Sequence, residues 1–386
     1  MAIGILDGQT IQALIFAKQL RNSGHKVILF CGEKMSYGYY TRFAHLKVIS
    51  PSSEIDVKKY HDFIVKFLNK MHVDVLVPMN DYSAKYLSIY KSVLSKLVNI
   101  SIPDYGIFMS GYDKNQLMRV CMENGFPHPQ TLDLEKNVSS AEKIKFKFPA
   151  LIKPNETTGA RGFTLVNNFE ELNKIFPKIK NQFGNCHLQQ FIPNGGRQFK
   201  VQILINDKNI IASSVIEKHR FYPINGGSSC YNSTIINEEL KDLCFKVLNE
   251  IHWQGFADFD LIEDPRDGSI LIMEINPRVP ACIKASVISG IDFPNAIVDL
   301  SLGRTVKKYK YLPGKFLRYF SMDVLWLIKS NNIRKNSTKW FKKIFSKSHY
   351  MQDIDYSDPM PFIMGTISGL IKQLNPEFRK QKKGMN

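Results

Sequence analysis

The chain has 386 residues, of which 44% are apolar and 23% are charged, a composition typical of a globular protein rather than a disordered or fibrous one. This length exceeds one ordinary domain, so we expect two or three packed subdomains. The formal net charge of +17 is uneven, because residues 304–386 contain 18 Lys or Arg and 5 Asp or Glu. Charge alone gives only salt-sensitive attraction to nucleic acid, and no base-reading module is present, so no specific nucleic-acid partner is expected.

Cysteine use and hydropathy point to the cytoplasm. The six cysteines are scattered without a CxxC pair, which is typical of buried thiols and argues against a disulfide framework or a zinc site. No apolar run reaches the roughly 18 residues that a spanning helix needs. Asp7 interrupts the first apolar run, so no secretory signal is expected.

The chain opens with a strand, a helix and a second strand, at residues 3–6, 11–22 and 27–30. This pattern predicts a parallel, Rossmann-like sheet. The first turn offers one glycine rather than GxGxxG, so no dinucleotide site is expected there. A later strand ends at Asn80 and Asp81, where open α/β sheets often bind ligands, although capping of the next helix by Asp81 is the favoured role.

A seam between the first domain and the next is predicted near residue 113. Asp113 and Lys114 open an amphipathic helix that closes at Gly125, and two prolines that follow prevent its resumption. A lysine in the first turn of a helix is usually a solvated side chain, so Lys114 alone carries little weight.

A phosphate-binding loop is predicted after the apolar strand 148–153. The strand ends in Lys153, and Arg161 adds a second positive charge in the loop. Gly159 and Gly162 let backbone N–H groups approach anionic oxygens. The strand–loop–strand order is not a Walker A motif, which needs a helix after the loop. A plain hairpin turn is the alternative.

Residues 256–278 are the most informative stretch, because they predict two alternating strands joined by a turn at residues 265–268. A three-residue loop that ends in a left-handed Gly268 places four polar side chains on one face. They are Asp258 opposite Asn276, and Asp260 opposite Glu274. Mg²⁺ prefers such oxygen ligands beside substrate phosphates. A two-residue loop would instead point Asp258 and Asp260 to one face and Glu274 and Asn276 to the opposite face. The alternative to a metal site is the solvent-exposed polar side of an edge hairpin.

This order of elements resembles the ATP-grasp superfamily, especially its carboxylate–amine ligases such as D-aspartate ligase and the carbamoyl phosphate synthetase subdomains. The similarity covers roughly residues 1–303, and its most specific part is the motif Glu274-Ile-Asn-Pro-Arg278 after Asp258. The implied fold is α/β and α+β. It comprises a Rossmann-like pre-ATP-grasp domain (1–112), a two-lobed ATP-grasp domain (113–303, with a lid subdomain at about 128–195 and a catalytic subdomain at about 196–303) and a basic, mostly helical extension (304–386).

The resemblance also implies roles for single residues. Mg²⁺ or Mn²⁺ would be bound by Asp258, Glu274 and Asn276, whereas Asp260 falls at a position that is not usually a ligand. Arg278 and Lys153 would act as catalytic residues on the transferred phosphoryl group. The residues implied to contact ATP are Lys114, Lys153, Thr158, Gly159, Arg161, Gly162, Gln189, Gln190 and Ile192. Lys200 departs from the pattern, because many relatives carry an acid near the nucleotide on this strand.

The implied activity is ATP- and Mg²⁺-dependent joining of a small-molecule carboxylate to an amine through an acyl phosphate, with release of ADP and phosphate. Lys218 and Arg220 offer donors for the substrate carboxylate, with a solvated strand end as the alternative. A non-catalytic nucleotide-binding regulatory protein of the same fold is the alternative function.

The basic extension mixes aromatic and basic residues at 316–328 and 340–345. Helices that pack on the body and leave a basic face in water are the favoured interpretation. Interfacial helices on an anionic membrane are the alternative. The last expected partner is a second copy of the chain, with which it would form a homodimer.

Overall fold

The structure is a computed structural model that describes residues 1–137, 146–157, 159–224, 227–330, 337, 340–341 and 346–374. It divides into two compact units. Unit 1 contains Met1–Phe108, Lys200–Asp258 and Asn276–Leu370. Unit 2 contains Met109–Phe199, Phe259–Ile275 and the described residues from Ile371. The predicted domain boundaries at 112 and 303 stay predictions.

Unit 1 begins with a four-stranded sheet in the order β3-β2-β1-β4, in which every pairing is parallel. Its strands are β1 (Ala2–Leu6), β2 (Lys26–Cys31), β3 (Leu46–Ile49) and β4 (Val75–Pro78). The helices around it are Gln12–Asn22, Val57–Lys70, Asp81–Ile89 and Lys91–Leu94, and Tyr105–Tyr112 follows. The strands are apolar runs because both faces of a parallel sheet are covered. Ile3, Ile5 and Leu29 are fully buried with Phe16 and Leu20 of the first helix.

The helix after β4 is capped by Asn80, so the predicted cap at Asp81 is wrong by one residue. The Asn80 side chain accepts hydrogen bonds from the backbone N–H groups of Tyr82 (2.7 Å) and Ser83 (3.4 Å). Asn80 has extended backbone geometry, which a cap requires, whereas Asp81 is already helical. The Asp81 carboxylate is therefore available for an ion pair.

Unit 2 contains an antiparallel sheet in the order β5-β8-β6-β7. Its strands are β5 (Thr131–Asp133), β6 (Ala150–Pro154), β7 (Thr164–Val166) and β8 (Cys186–Gln190), and its helices are Lys114–Glu123, Leu134–Asn137 and Phe169–Phe183. One sheet face packs Ile152 and Leu188 against Leu172 and Phe176 of the last of these helices. This helix was not predicted. The other face carries Lys153, His187 and Gln189 beside Leu151.

A seven-stranded sheet follows the order β13-β12-β9-β10-β11-β14-β15. Its strands are β9 (Gln198–Asn206), β10 (Asn209–Tyr222), β11 (Ser228–Ile235), β12 (Gly255–Glu263), β13 (Ile270–Asn276), β14 (Phe316–Arg318) and β15 (His349–Met351). The helices Glu238–Glu250, Ile283–Ile288 and Phe293–Ser301 lie between these strands in the chain. The predicted end of β10 at Ile216 is wrong, because antiparallel pairing with β11 continues to Tyr222.

The turn between β12 and β13 has one more residue than predicted. The Asp264 N–H donates to the Ser269 carbonyl (2.8 Å), and the Gly268 N–H donates to the Asp264 carbonyl (2.8 Å). These bonds enclose a four-residue loop, 265–268, rather than a three-residue one. Gly268 has φ 76°, so its predicted left-handed conformation is confirmed.

The extension after residue 303 is only partly helical where it is described. The predicted helix 316–328 is divided, because Phe316–Arg318 forms β14 and pairs with β11, and the helix starts at Phe320. A second helix is Met360–Leu374. Of the predicted segment 340–345, only Trp340 and Phe341 are described. Leu317, Asp323 and Trp340 are buried, as the packed interpretation requires.

Two further sequence expectations can be compared with the structure. All six cysteine side chains are buried, as predicted. Among the described residues, no helix is long and apolar enough to cross a membrane.

Gly38 allows a close approach that supplies a stability test. A Cβ at Gly38 would overlap the carbonyl oxygen of Gly8, which is backbone and cannot move aside cheaply. We expect Gly38→Ala to lower the free energy of unfolding by about 1–3 kcal/mol in urea denaturation. The matched control is Gly106→Ala in the helix Tyr105–Tyr112, where a Cβ meets no atom within 4 Å. It should change stability by no more than about 1 kcal/mol. Equal effects would contradict the packing argument.

Candidate active site

The polar face of the unit 2 sheet carries a lysine and its partners. Lys153 on β6 lies directly opposite His187 on β8, and Gln189 lies two residues further along β8. Residues at alternate positions share a face, so all three side chains point away from the apolar face. The Lys153 ammonium donates to the Gln189 side-chain oxygen and lies 4.9 Å from the centre of the Phe163 ring. We call Lys114, Lys153, His187, Gln189 and Glu274 the lysine cluster.

Lys114 joins this cluster from the start of a helix that Asp113 caps. The Asp113 side chain accepts from the Gln116 N–H (2.9 Å). The Lys114 ammonium donates to the Thr157 carbonyl (2.8 Å) and lies 3.5 Å from a Glu274 carboxylate oxygen. Its side chain is 8% exposed. Lys114 is thus buried and paired, and the solvated role that its position suggested is wrong.

Burial shifts the pKa values of two members of the lysine cluster, Lys153 and His187. It lowers the pKa of Lys153 to about 8, a shift that the negative charge of Glu274 opposes and the positive charge of Lys114 reinforces. Burial also lowers the pKa of His187 well below its ordinary value, with both lysines acting in the same direction. His187 is therefore neutral. Its Nδ1 hydrogen-bonds the Asn155 side-chain oxygen at 2.9 Å, and its buried Nε2 has no hydrogen-bond partner among the described residues.

Sequence reasoning missed His187, although a signal was present. Polar and apolar residues alternate along Cys186-His187-Leu188-Gln189, and Leu188 belongs to the core. The same alternation that places Gln189 on the lysine face therefore places His187 there as well.

The predicted phosphate loop follows Lys153 as a turn between two antiparallel strands. Gly159 and Gly162 have φ of 64° and 79°, and Ala160, which lies between them, has φ 60°. A Cβ at Gly162 would lie 2.8 Å from Pro154 and Phe183, so this position requires glycine for space as well as for φ. The Thr157 hydroxyl donates to the Arg161 carbonyl (2.8 Å). Thr158 lies outside the described residues.

A second polar group, which we call the aspartate cluster, lies in unit 1: Asp81, Lys200, Asp258, Asn276 and Arg278. Asp258 is fully buried, and one of its oxygens lies 2.5 Å from the Lys200 ammonium and 3.9 Å from Arg278. The Asn276 side chain donates to the carbonyl and carboxylate oxygens of Asp258 (3.3 and 3.4 Å). Asp258 and Asn276 are therefore adjacent, as the hairpin predicted.

Arg278 links the remaining members of this cluster. Its guanidinium donates to the Asn276 side-chain oxygen (3.0 Å) and lies 3.4 Å from Asp81. The Asp81 and Lys200 partnerships were not predicted, because they join residues far apart in the chain.

The predicted metal ligands are two carboxylates and one carboxamide. Glu274 and Asn276 are two residues apart on β13, and Asp258 lies on β12. Among the described residues, no group of three or more His, Cys, Asp or Glu side chains could hold a metal ion. A cation bound by the predicted set therefore needs additional oxygen atoms, which substrate phosphates supply in Mg²⁺ sites.

The other predicted residues lie in ordered strands or beside them. Gln190 ends β8, where its N–H donates to the Gln130 carbonyl (2.8 Å), and Ile192 is buried two residues later. Lys218 and Arg220 lie within β10 and not at a solvated strand end. The Arg220 guanidinium donates to both Asp323 oxygens (3.0 Å each) and stacks between Tyr231 and Trp326, at 4.5 and 4.3 Å from the ring centres.

Comparison with known proteins identifies the class. Residues 113–309, just over half of the chain, match the family model "Carbamoyl-phosphate synthase L chain, ATP binding domain". The chain belongs to this family, which is part of the ATP-grasp group. The resemblance drawn from the sequence is confirmed.

Individual relatives are more distant. The chain is 23% identical over 326 residues to the D-aspartate ligase of Enterococcus faecium, covering 77% of this chain and 76% of the relative. The biotin carboxylase domain dimer of Hydrogenobacter thermophilus 2-oxoglutarate carboxylase, in complex with MgADP and bicarbonate, superimposes with a TM-score of 0.67 at 17% identity. The superposition covers 81% of this chain and 73% of that one. An L-amino acid ligase from Bacillus licheniformis gives 0.61 at 16% identity, covering 80% and 75%. These solved structures support the fold.

The buried ion pair of the aspartate cluster supplies a second test. Lys200→Met removes the nearest cation from the buried Asp258 carboxylate, so we expect a loss of about 3 kcal/mol in the free energy of unfolding. Arg197→Met is the matched control, since its partner Glu263 lies 2.7 Å away in a pair whose arginine is 60% exposed. It should lose no more than about 1 kcal/mol.

Similar losses in these two variants would show that the Lys200 pair does not hold the Asp258 charge. Stabilisation of Lys200→Met by added Mg²⁺, and not of the double variant Asp258→Asn/Lys200→Met, would show that Asp258 can take a cation instead.

Proposed function

We infer that the protein is an ADP-forming carboxylate–amine ligase, which activates a carboxylate with ATP and joins it to an amine. The coarser statement, an ATP-dependent ligase of the ATP-grasp group, rests on the family match and on relatives named as ligases. The observation that carries the finer proposal is the lysine cluster. Two buried lysines and a carboxylate lie together beside a loop with two left-handed glycines.

The lysine cluster has the chemistry that a nucleotide triphosphate requires. Lys114 and Lys153 are desolvated, and their positive charges oppose each other, so anionic oxygens stabilise both. The loop after Lys153 can present backbone N–H groups at Gly159 to Gly162 to the phosphates. Gln189 lies beside Lys153 on the same face, and Gln190 and Ile192 are proposed to contact the adenine through their backbones.

The donor set also fits a hard divalent cation. We propose that Asp258, Glu274 and Asn276 hold Mg²⁺ or Mn²⁺ together with phosphate oxygens; the similar carboxylase domain is bound to MgADP. The cation neutralises charge on the β- and γ-phosphates when it is bound. Binding of the cation would compete with the contact between Asp258 and Lys200 and with the contact between Glu274 and Lys114.

The reaction proceeds in two steps on the substrates. The carboxylate oxygen attacks the γ-phosphorus, the bond to the β-γ bridging oxygen breaks, and an acyl phosphate and ADP result. The amine then attacks the acyl carbon, phosphate leaves, and the amine loses a proton. The protein contributes position and charge neutralisation, with Lys153, Lys114 and Arg278 stabilising the negative charge of the transferred group.

The substrate carboxylate is proposed to bind near Lys218 and Arg220 on β10. Arg220 already holds Asp323 through two hydrogen bonds, so it can bind a substrate directly only by exchanging this partner. Lys218 lies on the same strand and belongs to the same proposed site. A cytoplasmic location and a homodimer belong to the same proposal.

The second candidate function is a nucleotide-binding protein without catalysis. Both lysines and Glu274 are assembled in one cluster, and a binding-only descendant has less need for the carboxylate. Incubation with ATP, Mg²⁺ and pooled acids and amines separates the two. A ligase forms ADP and phosphate only when both substrates are present, and the product mass names them.

Glu274→Gln tests the catalytic role of the carboxylate. We expect ATP turnover with the substrate pools to fall at least about 100-fold, because the amide cannot supply the negative charge that a cation needs. The fold should survive, since the Glu274 side chain is 32% exposed. Glu239→Gln, at an exposed position of the helix Glu238–Glu250, is the control and should turn over ATP as the unchanged protein does. Full activity of Glu274→Gln would remove the metal assignment.

The pKa of Lys153 predicts how ATP binding depends on pH. Because burial lowers this pKa to about 8, Lys153 loses its charge as the pH rises through that value. If only the charged form binds, the dissociation constant for ATP should rise about tenfold from pH 7 to pH 9. Phosphate charge is constant there, because its second pKa is about 6.

Calorimetric titration with ATP at several pH values measures this effect. Lys153→Arg keeps a positive charge throughout and should bind ATP equally at pH 7 and pH 9. The same slope in both proteins would assign the pH dependence to another group.

A further inference from the structure

One ring nitrogen in the lysine cluster has no role in the proposed reaction. His187 is fully buried, and its Nε2 has no hydrogen-bond partner among the described residues. The other nitrogen, Nδ1, lies 2.9 Å from the side-chain oxygen of Asn155. Because an amide oxygen only accepts hydrogen bonds, Nδ1 carries the proton of the neutral ring and Nε2 carries a lone pair. An unpaired polar atom in the interior costs stability, so it requires an explanation.

His187 lies toward the phosphate end of the proposed nucleotide site. It is directly opposite Lys153, the last lysine before the loop that is proposed to contact phosphate. The backbone N–H of Asn155, where this loop starts, donates to the Asn185 carbonyl (2.9 Å) just before β8. His187 is therefore at the end of β8 that adjoins the start of the loop, whereas Gln190, at the other end, is proposed to contact adenine.

The charged groups that face His187 favour its neutral form. Burial lowers its pKa well below the ordinary value, and Lys153 on β6 and Lys114 on the neighbouring helix lower it further. Asp133 lies opposite on β5, but it is partly exposed and accepts a backbone N–H at 2.9 Å. Glu274 of β13 lies beside the lysines. A polyphosphate at the lysines would offset their charge and add negative charge, which favours the protonated ring instead.

We propose that His187 takes up a proton on Nε2 when a nucleoside triphosphate binds, and that it then acts as a third cationic group beside the phosphates. The proton comes from water, and the hydrogen bond from Nδ1 to Asn155 is kept. Both ring nitrogens then donate, so Nε2 is available for a charge-assisted hydrogen bond to a phosphate oxygen. This inference rests on the proposed function, because it requires the nucleotide to bind at the lysine cluster.

Proton uptake by His187 predicts a pH dependence that is separate from that of Lys153. The bound form holds one more proton than the free form, so affinity for the nucleotide rises as the pH falls. An opposite charge within about 4–6 Å shifts a pKa by about 1–3 units, so the uptake should be measurable below pH 7. Lys153 stays charged there, since its pKa is about 8.

Calorimetric titration of the full chain with ATP and Mg²⁺, without acid or amine substrates, measures the uptake. Titrations at about pH 6 in buffers of different ionisation enthalpy give the number of protons bound per nucleotide. The phosphates also exchange protons near this pH, so the quantity compared is the difference between the unchanged protein and His187→Asn. We expect the unchanged protein to bind about half a proton more per nucleotide than the variant. It should also gain about threefold more affinity than the variant between pH 7 and pH 6.

His128→Asn is the matched control. His128 belongs to the same unit, and its Nδ1 hydrogen-bonds the Phe126 carbonyl at 2.7 Å, outside the lysine cluster. This variant should take up as many protons as the unchanged protein. Equal uptake by the unchanged protein and His187→Asn would overturn the inference but leave the proposed function standing. Absence of nucleotide binding by the unchanged protein would refute the nucleotide site and this inference together.

Nitrogen-15 spectra of the histidine rings in the unchanged protein decide the matter even if His187→Asn fails to fold. We expect the His187 ring, assigned through its bonds to the backbone, to have one protonated nitrogen without nucleotide. With ATP and Mg²⁺ at about pH 6, a substantial fraction should have two protonated nitrogens. A ring that stays neutral in the nucleotide complex would contradict the proposal.

Discussion

The burial of Lys153 is the constraint on which the lysine cluster depends. A cation taken out of water loses hydration that only hydrogen bonds and negative charge can replace. Gln189 supplies one oxygen atom and Glu274 the negative charge, but Lys114 brings a second positive charge to the same carboxylate. Two cations share one anion. The cluster therefore has an unbalanced positive charge that a polyanionic ligand can neutralise.

The aspartate cluster is arranged differently. Asp258 has the strong cation Lys200 at 2.5 Å, and Arg278 lies between Asp258 and Asp81 with its guanidinium near both. Here two cations meet two carboxylates, so the charges balance within the protein. A metal ion at Asp258 has to displace or share an existing partner. A cation at Glu274 competes with a longer contact, to Lys114 at 3.5 Å.

The features that the sequence predicted are those that depend on neighbouring residues. Alternation along β12 and β13 places polar residues on one side, and glycine identified the left-handed position at Gly268. The features that it missed depend on distant partners. β10 continues to Tyr222 because β11 pairs with it, and Lys200 acquires a structural role because Asp258 lies 58 positions later in the chain. The Asn80 cap was misplaced by one residue because Asn and Asp cap helices almost equally well.

The extension after residue 303 also depends on distant partners, and its described residues up to Leu370 are a structural part of unit 1. β14 pairs with β11, and β15 extends the sheet beyond it. Asp323 is fully buried, and its carboxylate receives hydrogen bonds from Arg220 and from the Trp340 indole (2.6 Å) while Arg318 lies 3.3 Å away. Without the extension, Arg220 on β10 of the seven-stranded sheet would lose its carboxylate partner, Asp323. The position of the proposed carboxylate-binding strand therefore depends on residues that lie outside the match to the family.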